Sequence, residues 1–491
     1  MSRLHFIAAL LCLFTCGPAW AQQGEFAGEL STEKATLAHD CSFSTPSSPS
    51  SSSASGPANP SNSAAQKTPG SVGSCLADLF TGKPLHIGFG SLAPQNGEGL
   101  GPALVFEHEP TVNWRLHLDA DAIVTSNLSW RAGVYLNAIH VKSGPIVVTH
   151  VTRRPPKGAA LKPLEIPVSP GVNVYAQMIS LNKILYFGEG NFTSISQEAL
   201  YGMNEGIVGA NTLIPLKNTG FGLFGEVNGR FVDIRGRHGD SSPSLEQIYV
   251  EATAPGLATQ PAFLQLGEGL RFDRTFSDRV HMDYAGTLQE FVAGGSSMYS
   301  FRRWNLDLAH SFHLYGKTTS VGTTDLAGPD ESPKSLPQAG DKKTYTRNLE
   351  GSLSFDVLLT ESIAPAGHVV PFYYQPTLGG TDINGTGLLL PSYSDYRWRA
   401  PNAMLFRLST EHSLWGPIGL MALADAGHVA LTRGDLDFSH FKHSYGVGVT
   451  IRAGGVPQLY LVFAWGGHEG SHTIGALTSS VLGGTARPSL F

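Results

Sequence analysis

After residue 21 the chain lacks any apolar run near the roughly 18 residues that a membrane helix requires. Helix-period segments are scarce beyond the first thirty or so residues, and the 57 glycines suit strands and turns instead. Charge of one sign is missing too: 491 residues carry a formal charge of −6, and 15% of them are charged. No basic cluster resembles a phosphate-binding surface, so nothing points to nucleic acid as a partner. There is no G-x-S-x-G elbow, P-loop or dinucleotide fingerprint, so the expectation is a protein that is not an enzyme and uses no cofactor.

Cysteine is rare, with four in all. Two of them fall in "MSRLHFIAALLCLFTCGPAWAQQ", where Arg3, an apolar stretch from Leu4 to Cys16 and the Ala19-Trp20-Ala21 cleavage pattern read as a secretory signal peptide over 1–21. The remaining pair, Cys41 and Cys75, brackets a Ser/Pro/Gly-rich tract with almost nothing to bury. Residues 22–84 therefore read as a flexible periplasmic segment. In an exported chain Cys41 and Cys75 are either free or joined in a disulfide that pinches this tract into a loop.

Residues 112–124, "VNWRLHLDADAIV", show what the chain does have. Val112, Trp114, Leu116, Leu118, Ala120, Ala122 and Val124 alternate with Asn113, Arg115, His117, Asp119 and Asp121. Period two over that length is a β-strand with one apolar and one charged face. "RRWNLDLAHSFHLYG" repeats the pattern, setting Arg303 and Asp307 against Trp304, Leu306 and Leu308. "AMLFRLSTEH", "SYGVGVTIR" and "QLYLVFAW" continue it.

A soluble sandwich also alternates. Here the stretches often reach ten residues, longer than the five or six usual in globular sheets, and charges sit in mid-strand. Aromatics such as Trp114, Trp130, Tyr186, Phe187, Tyr373, Tyr374 and Trp465 lie near strand ends, where a lipid-facing girdle would be. The preferred fold is all-β: a transmembrane antiparallel β-barrel over residues 85–491. Its lumen would be lined by Arg115, His117, Asp119, Asp121, Arg303 and Asp307. Sixteen strands give about 25 residues per strand and connection, although twelve or fourteen with longer loops also fit.

The last quarter carries a resemblance. "PFYYQPTLGGTDINGTGLLLPSYSDYRWRAPNAMLFRLSTEH", "GPIGLMALADAGHVA" and "SYGVGVTI" resemble the C-terminal barrel of the bacterial surface-antigen superfamily, the group of BamA- and TamA-type outer-membrane assembly factors. "IYVEATAPGL" and "YSFRRWNLDL" resemble members that lack POTRA modules. The resemblance implies sixteen strands and a long loop, beginning at Leu378-Gly379-Gly380, that folds into the lumen. It also implies an Asp in a DAG-like motif, here Asp425, that an arginine at the loop tip contacts. The tip departs from the pattern: Leu390-Pro391-Ser392-Tyr393 stands where the family has Leu-Arg-Gly-Tyr. Asp425, Tyr393 and the nearby Arg397 and Arg399 are thus the candidates for locking the loop. Either arginine could replace the missing one, or Asp425 is simply hydrated.

"HEGSH", His468 to His472, matches a zinc motif only if it is helical. It follows Gly466-Gly467 and contains Gly470, so it reads as a hairpin end and no metal site is expected. "GRFVDIRGRHGD" reads as a loop or barrel rim. The resemblance implies a bacterial outer-membrane protein, expected to be a monomer in contact with outer-membrane lipid. Its expected role is insertion or translocation of client proteins or lipid. The alternative is a passive pore or a structural surface barrel.

Overall fold

The computed structural model describes Leu79 and residues 84–477, apart from 141–169, 325–342 and short breaks at 112, 218, 238–241, 278, 384–386, 416–417, 454–455, 468 and 470. The signal peptide, Cys41, Cys75 and the tract between them lie outside the described residues, as does the C-terminal Phe491.

The alternating stretches lie in strands, the first of them from Trp114 onward. The first strands are β1 (Leu85–Ser91), β2 (Glu98–Thr111), β3 (Trp114–Thr125), β4 (Trp130–His140), β5 (Gly171–Tyr186) and β6 (Ala199–Pro215). They are followed by β7 (Phe221–Gly236), β8 (Phe263–Phe276), β9 (Val280–Ala293), β10 (Phe301–Thr324) and β11 (Lys343–Ile363). Two short strands, β12 (Thr377–Leu378) and β13 (Trp398–Arg399), pair only with each other. The wall resumes with β14 (Asn402–Trp415), β15 (Ile418–Ala430), β16 (Lys442–Ala453), β17 (Val456–Trp465) and β18 (Ser471–Leu477). All but β12 and β13 form one antiparallel sheet of 16 strands in chain order, the number the resemblance implied. No pairing of β1 with β18 is present among the described residues.

Exposure along these strands is inverted relative to a soluble protein. In β3, Asp119 and Asp121 are buried while Trp114 and Val124 are exposed. In β16, Ser444 and Thr450 are buried while Tyr445, Val447, Val449 and Ile451 are each more than two-fifths exposed. An apolar outer wall of this extent would be costly in water, at roughly 25 cal/mol per Å². It is the wall of a barrel that stands in lipid, where every backbone polar group must be paired within the sheet.

Two ends differ. At the turn end, five connections are short, as between Thr111 and Trp114 or between Ala453 and Val456. At the loop end, an aromatic cap closes the interior: Tyr186, Phe187, Tyr201, Phe291, Phe301, Phe372, Tyr373 and Tyr374 are all buried in one cluster. Four of these, Tyr186, Phe187, Tyr373 and Tyr374, were expected in a lipid-facing girdle. They point inward because their chain segments turn over the barrel mouth, and Phe372–Tyr374 is a 3-10 turn of the inward loop. Trp114 and Trp465 do face outward. Below the cap lies a polar layer. Arg230 of β7 donates to Glu205 of β6 at 2.7 Å, and Gln265 and Gln289 both donate to Glu226. Arg230 is therefore a mid-wall residue of the lumen, not part of a rim loop.

Placing a charge on the outer wall should destabilise the barrel. Val447→Arg is expected to cost about 2–4 kcal/mol in denaturant titrations of protein folded into lipid vesicles. Asp307→Asn, on the wet inner side, should stay within about 0.5 kcal/mol. Equal costs would contradict the inside-out assignment.

Candidate functional site: a plug held inside the barrel

The segment between β11 and β14 folds into the barrel mouth and forms a plug. Its base is the β12–β13 pair, with Thr377 opposite Arg399 and Leu378 opposite Trp398. Gly379 and Gly380 follow at φ 119° and 69°, a region closed to most residues. A Cβ on either would also strike the returning strand, at Ser394 O and Asp395 Oδ1. The Leu-Gly-Gly element is thus a tight backbone crossing that sets the plug's direction.

The tip of the plug rests on the inner wall. Arg407 and Asp425 are register partners on β14 and β15, and they form a bidentate ion pair with both bonds at 2.9 Å. The same carboxylate accepts the backbone N–H of Leu390 at 3.1 Å, and Arg407 also donates to the carbonyl of Leu388. One charge pair therefore holds two backbone groups of the tip. Leu390 sits at φ 55°, a strained conformation for a branched side chain that this grip and its complete burial maintain. Gly427, the glycine of the DAG motif, lets Leu378 and Leu390 approach the wall, because a Cβ there would meet both side chains.

The expected replacement of the missing tip arginine by Arg397 or Arg399 does not occur. Asp425 is reached by Arg407, which the strand register places directly opposite. Arg397 instead reaches Glu469 and Thr193: its Nε is 2.9 Å from both carboxylate oxygens, and two other nitrogens donate to the Thr193 hydroxyl and carbonyl. Arg399 is buried among Tyr186, Tyr201 and Phe372, its guanidinium 5.6–6.0 Å from their ring centres, and it donates to Phe372 O. Tyr393 packs edge-on against Trp398 at 4.3 Å between ring centres. Of HEGSH, Ser471 and His472 open β18, and Glu469, in the connection before it, is the carboxylate that Arg397 engages. Among the described residues no cluster of ligating side chains could hold a metal ion.

Of the expected lumen residues, Asp121 pairs with Arg131 at 2.9 Å and Asp119 with His117 at 3.1 Å. Arg115 lies at the turn end and pairs with Glu109 at 3.1 Å. Asp307 is exposed to the lumen. Arg303 is buried beneath the plug, where it donates to Tyr374 O.

A second clamp grips the plug's base. Glu189 accepts from Gln375, while Gly190 N–H donates to Arg399 O at 2.7 Å, so one short loop holds both legs of the plug. Burial raises the Glu189 carboxyl to about 7, opposed by the Gln375 hydrogen bond and the Arg399 charge. The folded state therefore binds a proton that the unfolded chain releases near 4.5. This contribution to stability is complete below that value and is lost as pH rises through about 7.

No family model matches the chain, and no curated protein matches it in sequence. Among solved structures it is similar to BamA from Haemophilus ducreyi lacking POTRA domains 1–3, with 11% identity over 80% of this chain and 70% of that one and a TM-score of 0.44. It is also similar to CdiB from Acinetobacter baumannii, with 10% identity over 79% of this chain and 57% of that one and a TM-score of 0.41. CdiB from Escherichia coli gives 12% identity, 79% and 61% coverage and a TM-score of 0.42. The chain spans less than two thirds of the two CdiB chains.

Arg407→Ala strands the Asp425 carboxylate and should cost about 3–5 kcal/mol. It is expected to open Leu388–Tyr393 to chymotrypsin, which mass spectrometry of the fragments would show. Resistance equal to wild type would refute this anchor. Separately, plug protection should be weaker at pH 8 than at pH 5, by at most about 3 kcal/mol. Glu189→Gln should remove most of that difference; an unchanged pH profile would remove Glu189 from the clamp's energetics.

Proposed function

We propose that this chain is a monomeric bacterial outer-membrane barrel that inserts or translocates protein clients or lipid, with the plug as its gate. The observation that carries the reading is that the described part of residues 372–399 is docked inside the mouth, held there by the Arg397–Glu469 ion pair and by hydrogen bonds to Asp425, Arg407, Glu189 and Gln95. A passive pore needs a continuous wet path. Here the aromatic cap and the plug fill the loop end, while charged residues such as Arg271 and Asp283 line a wet vestibule toward the turn end. The sequence resemblance in the same segment agrees with this reading.

Such work needs no covalent chemistry, and so no catalytic residue or cofactor. The end strands β1 and β18 have backbone edges that a client strand can extend by hydrogen bonding, provided the two part. A fitting client is an unfolded chain with the same period-two alternation, whose apolar face passes into lipid as its backbone pairs. β1 ("LHIGFGS", with Gly88 and Gly90) and β18 are each paired through only seven residues, so both edges are short. Outer-membrane lipid is the second partner, in contact with the apolar wall.

Purified protein in lipid vesicles should speed folding of a urea-unfolded barrel client several-fold over empty vesicles. Planar-bilayer recordings should be silent or show brief openings, more frequent in Arg407→Ala. Steady conductance in wild type together with no gain in client folding would establish a passive pore instead.

A further inference from the structure

Two neighbouring plug residues reach opposite ends of the sheet. Asp395 accepts from Gln95 Nε2 at 2.7 Å, and Gln95 belongs to the loop joining β1 to β2, the first hairpin. Arg397 binds Glu469 in the turn joining β17 to β18, the last hairpin, with its closest nitrogen at 2.7 Å. His472 of β18 also lies within electrostatic reach of Asp395. The residue between them, Tyr396, is held at φ 60°, and Gln95 itself at φ 67°. Two non-glycine residues in the left-handed region at one junction mark a geometry that its contacts enforce.

The Gln95 end of the clasp is exposed, but the Arg397 bond is no interchangeable surface pair. The Arg397 side chain is 3% exposed and Glu469 17%. The guanidinium is also sandwiched 5.0 Å from the rings of Phe187 and Trp398. Thr193, from the loop after β5, takes its remaining donors. Asp395 accepts a further bond from Thr381 N–H at 3.1 Å, which ties it to the plug's own crossing.

We infer that Asp395 and Arg397 form a clasp across the seam, joining the first and last hairpins at the loop end through the plug. The seam between β1 and β18 then parts only when this three-residue step withdraws, so movement of the plug and opening of the wall are one event. Glu469 is the clasp's anchor on the last hairpin, which gives the HEGSH segment a role that zinc chemistry does not. Asp395, Arg397 and Glu469 are positioning residues. The inference rests on the gated-barrel reading above.

The test is a distance measurement across the seam in the full chain, reconstituted in bilayers. With the native cysteines replaced by serine, spin labels at Leu100→Cys on β2 and Leu461→Cys on β17, both outward-facing, report the separation by pulsed electron resonance. One narrow distance is expected in the otherwise unaltered chain. Arg397→Ala and Asp395→Asn should each add a longer component, raising the open-to-closed ratio roughly tenfold. Glu469→Gln, a milder change in an exterior turn, should do so to a smaller extent. Arg302→Ala, which removes an exposed pair with Glu290, should leave the distance unchanged. Unaltered distances in all three clasp variants, or equal broadening in Arg302→Ala, would overturn the clasp. The readout uses no client: a clasp-dependent distance in a protein inert toward clients removes the proposed function and leaves the clasp. An unchanged distance in an active protein does the reverse.

Discussion

A backbone amide in hydrocarbon has only other backbone groups to bond with. That constraint organises the molecule. It forces the strands to satisfy one another along one continuous antiparallel sheet, and it sends side chains alternately to lipid and to the interior. Once the outer wall is apolar, charges in the middle of the wall must go inside. An interior filled with charges then has to pair them or leave them in water, and the protein does both. Glu205–Arg230 and Asp121–Arg131 are paired beneath the cap and along β3–β4, while Asp307 keeps a wet position.

The plug exploits the same rule. Its backbone leaves the wall and so loses the ladder that satisfies the strands. Replacement partners come from side chains of the wall: Asp425 for Leu390 N–H, Arg407 for Leu388 O, and Ser444 for Ser392 N–H. The strained φ at Leu390 falls where one of these substitutes grips, while Tyr396, also at positive φ, donates its N–H to Gly379 O of the plug's own crossing. A buried ion pair gives little net stability over apolar packing, yet losing one member leaves an uncompensated charge. An interaction of this type suits a latch, because it is indifferent while intact and decisive when broken.

The wall was legible from sequence because period-two alternation is a local property, and β3 or β16 needs no knowledge of its neighbours. Asp425 was legible through the DAG motif. Its partner was not. Counting back from the Trp415–Ile418 pair places Arg407 opposite Ala426; a one-residue irregularity between Ser413 and Trp415 shifts the register and brings it opposite Asp425. No local pattern announces that shift. Tyr373 and Tyr374 were misplaced for a related reason. Their chemistry suits a membrane girdle as well as a dry cap, and only the path of the chain over the mouth decides. Arg397 and Arg399 were identified as plug residues of importance, but Arg397's partners come from loops 72 and 204 residues away, beyond the reach of spacing arguments.

The clasp has a consequence for how the barrel comes into being. Gln95 and Asp395 are 300 residues apart in the chain, while several hairpins of the wall, such as β2–β3 and β8–β9, close over a few residues. Contacts of such separation form late, since loop-closure entropy must be overcome before they return anything. Arg397 finds Glu469 only once the last hairpin exists, and Asp395 finds Gln95 only once the sheet has rolled far enough to bring its two ends together. Docking of the plug is therefore a signal of completion. A barrel truncated or mispaired at either end offers the plug one handhold instead of two.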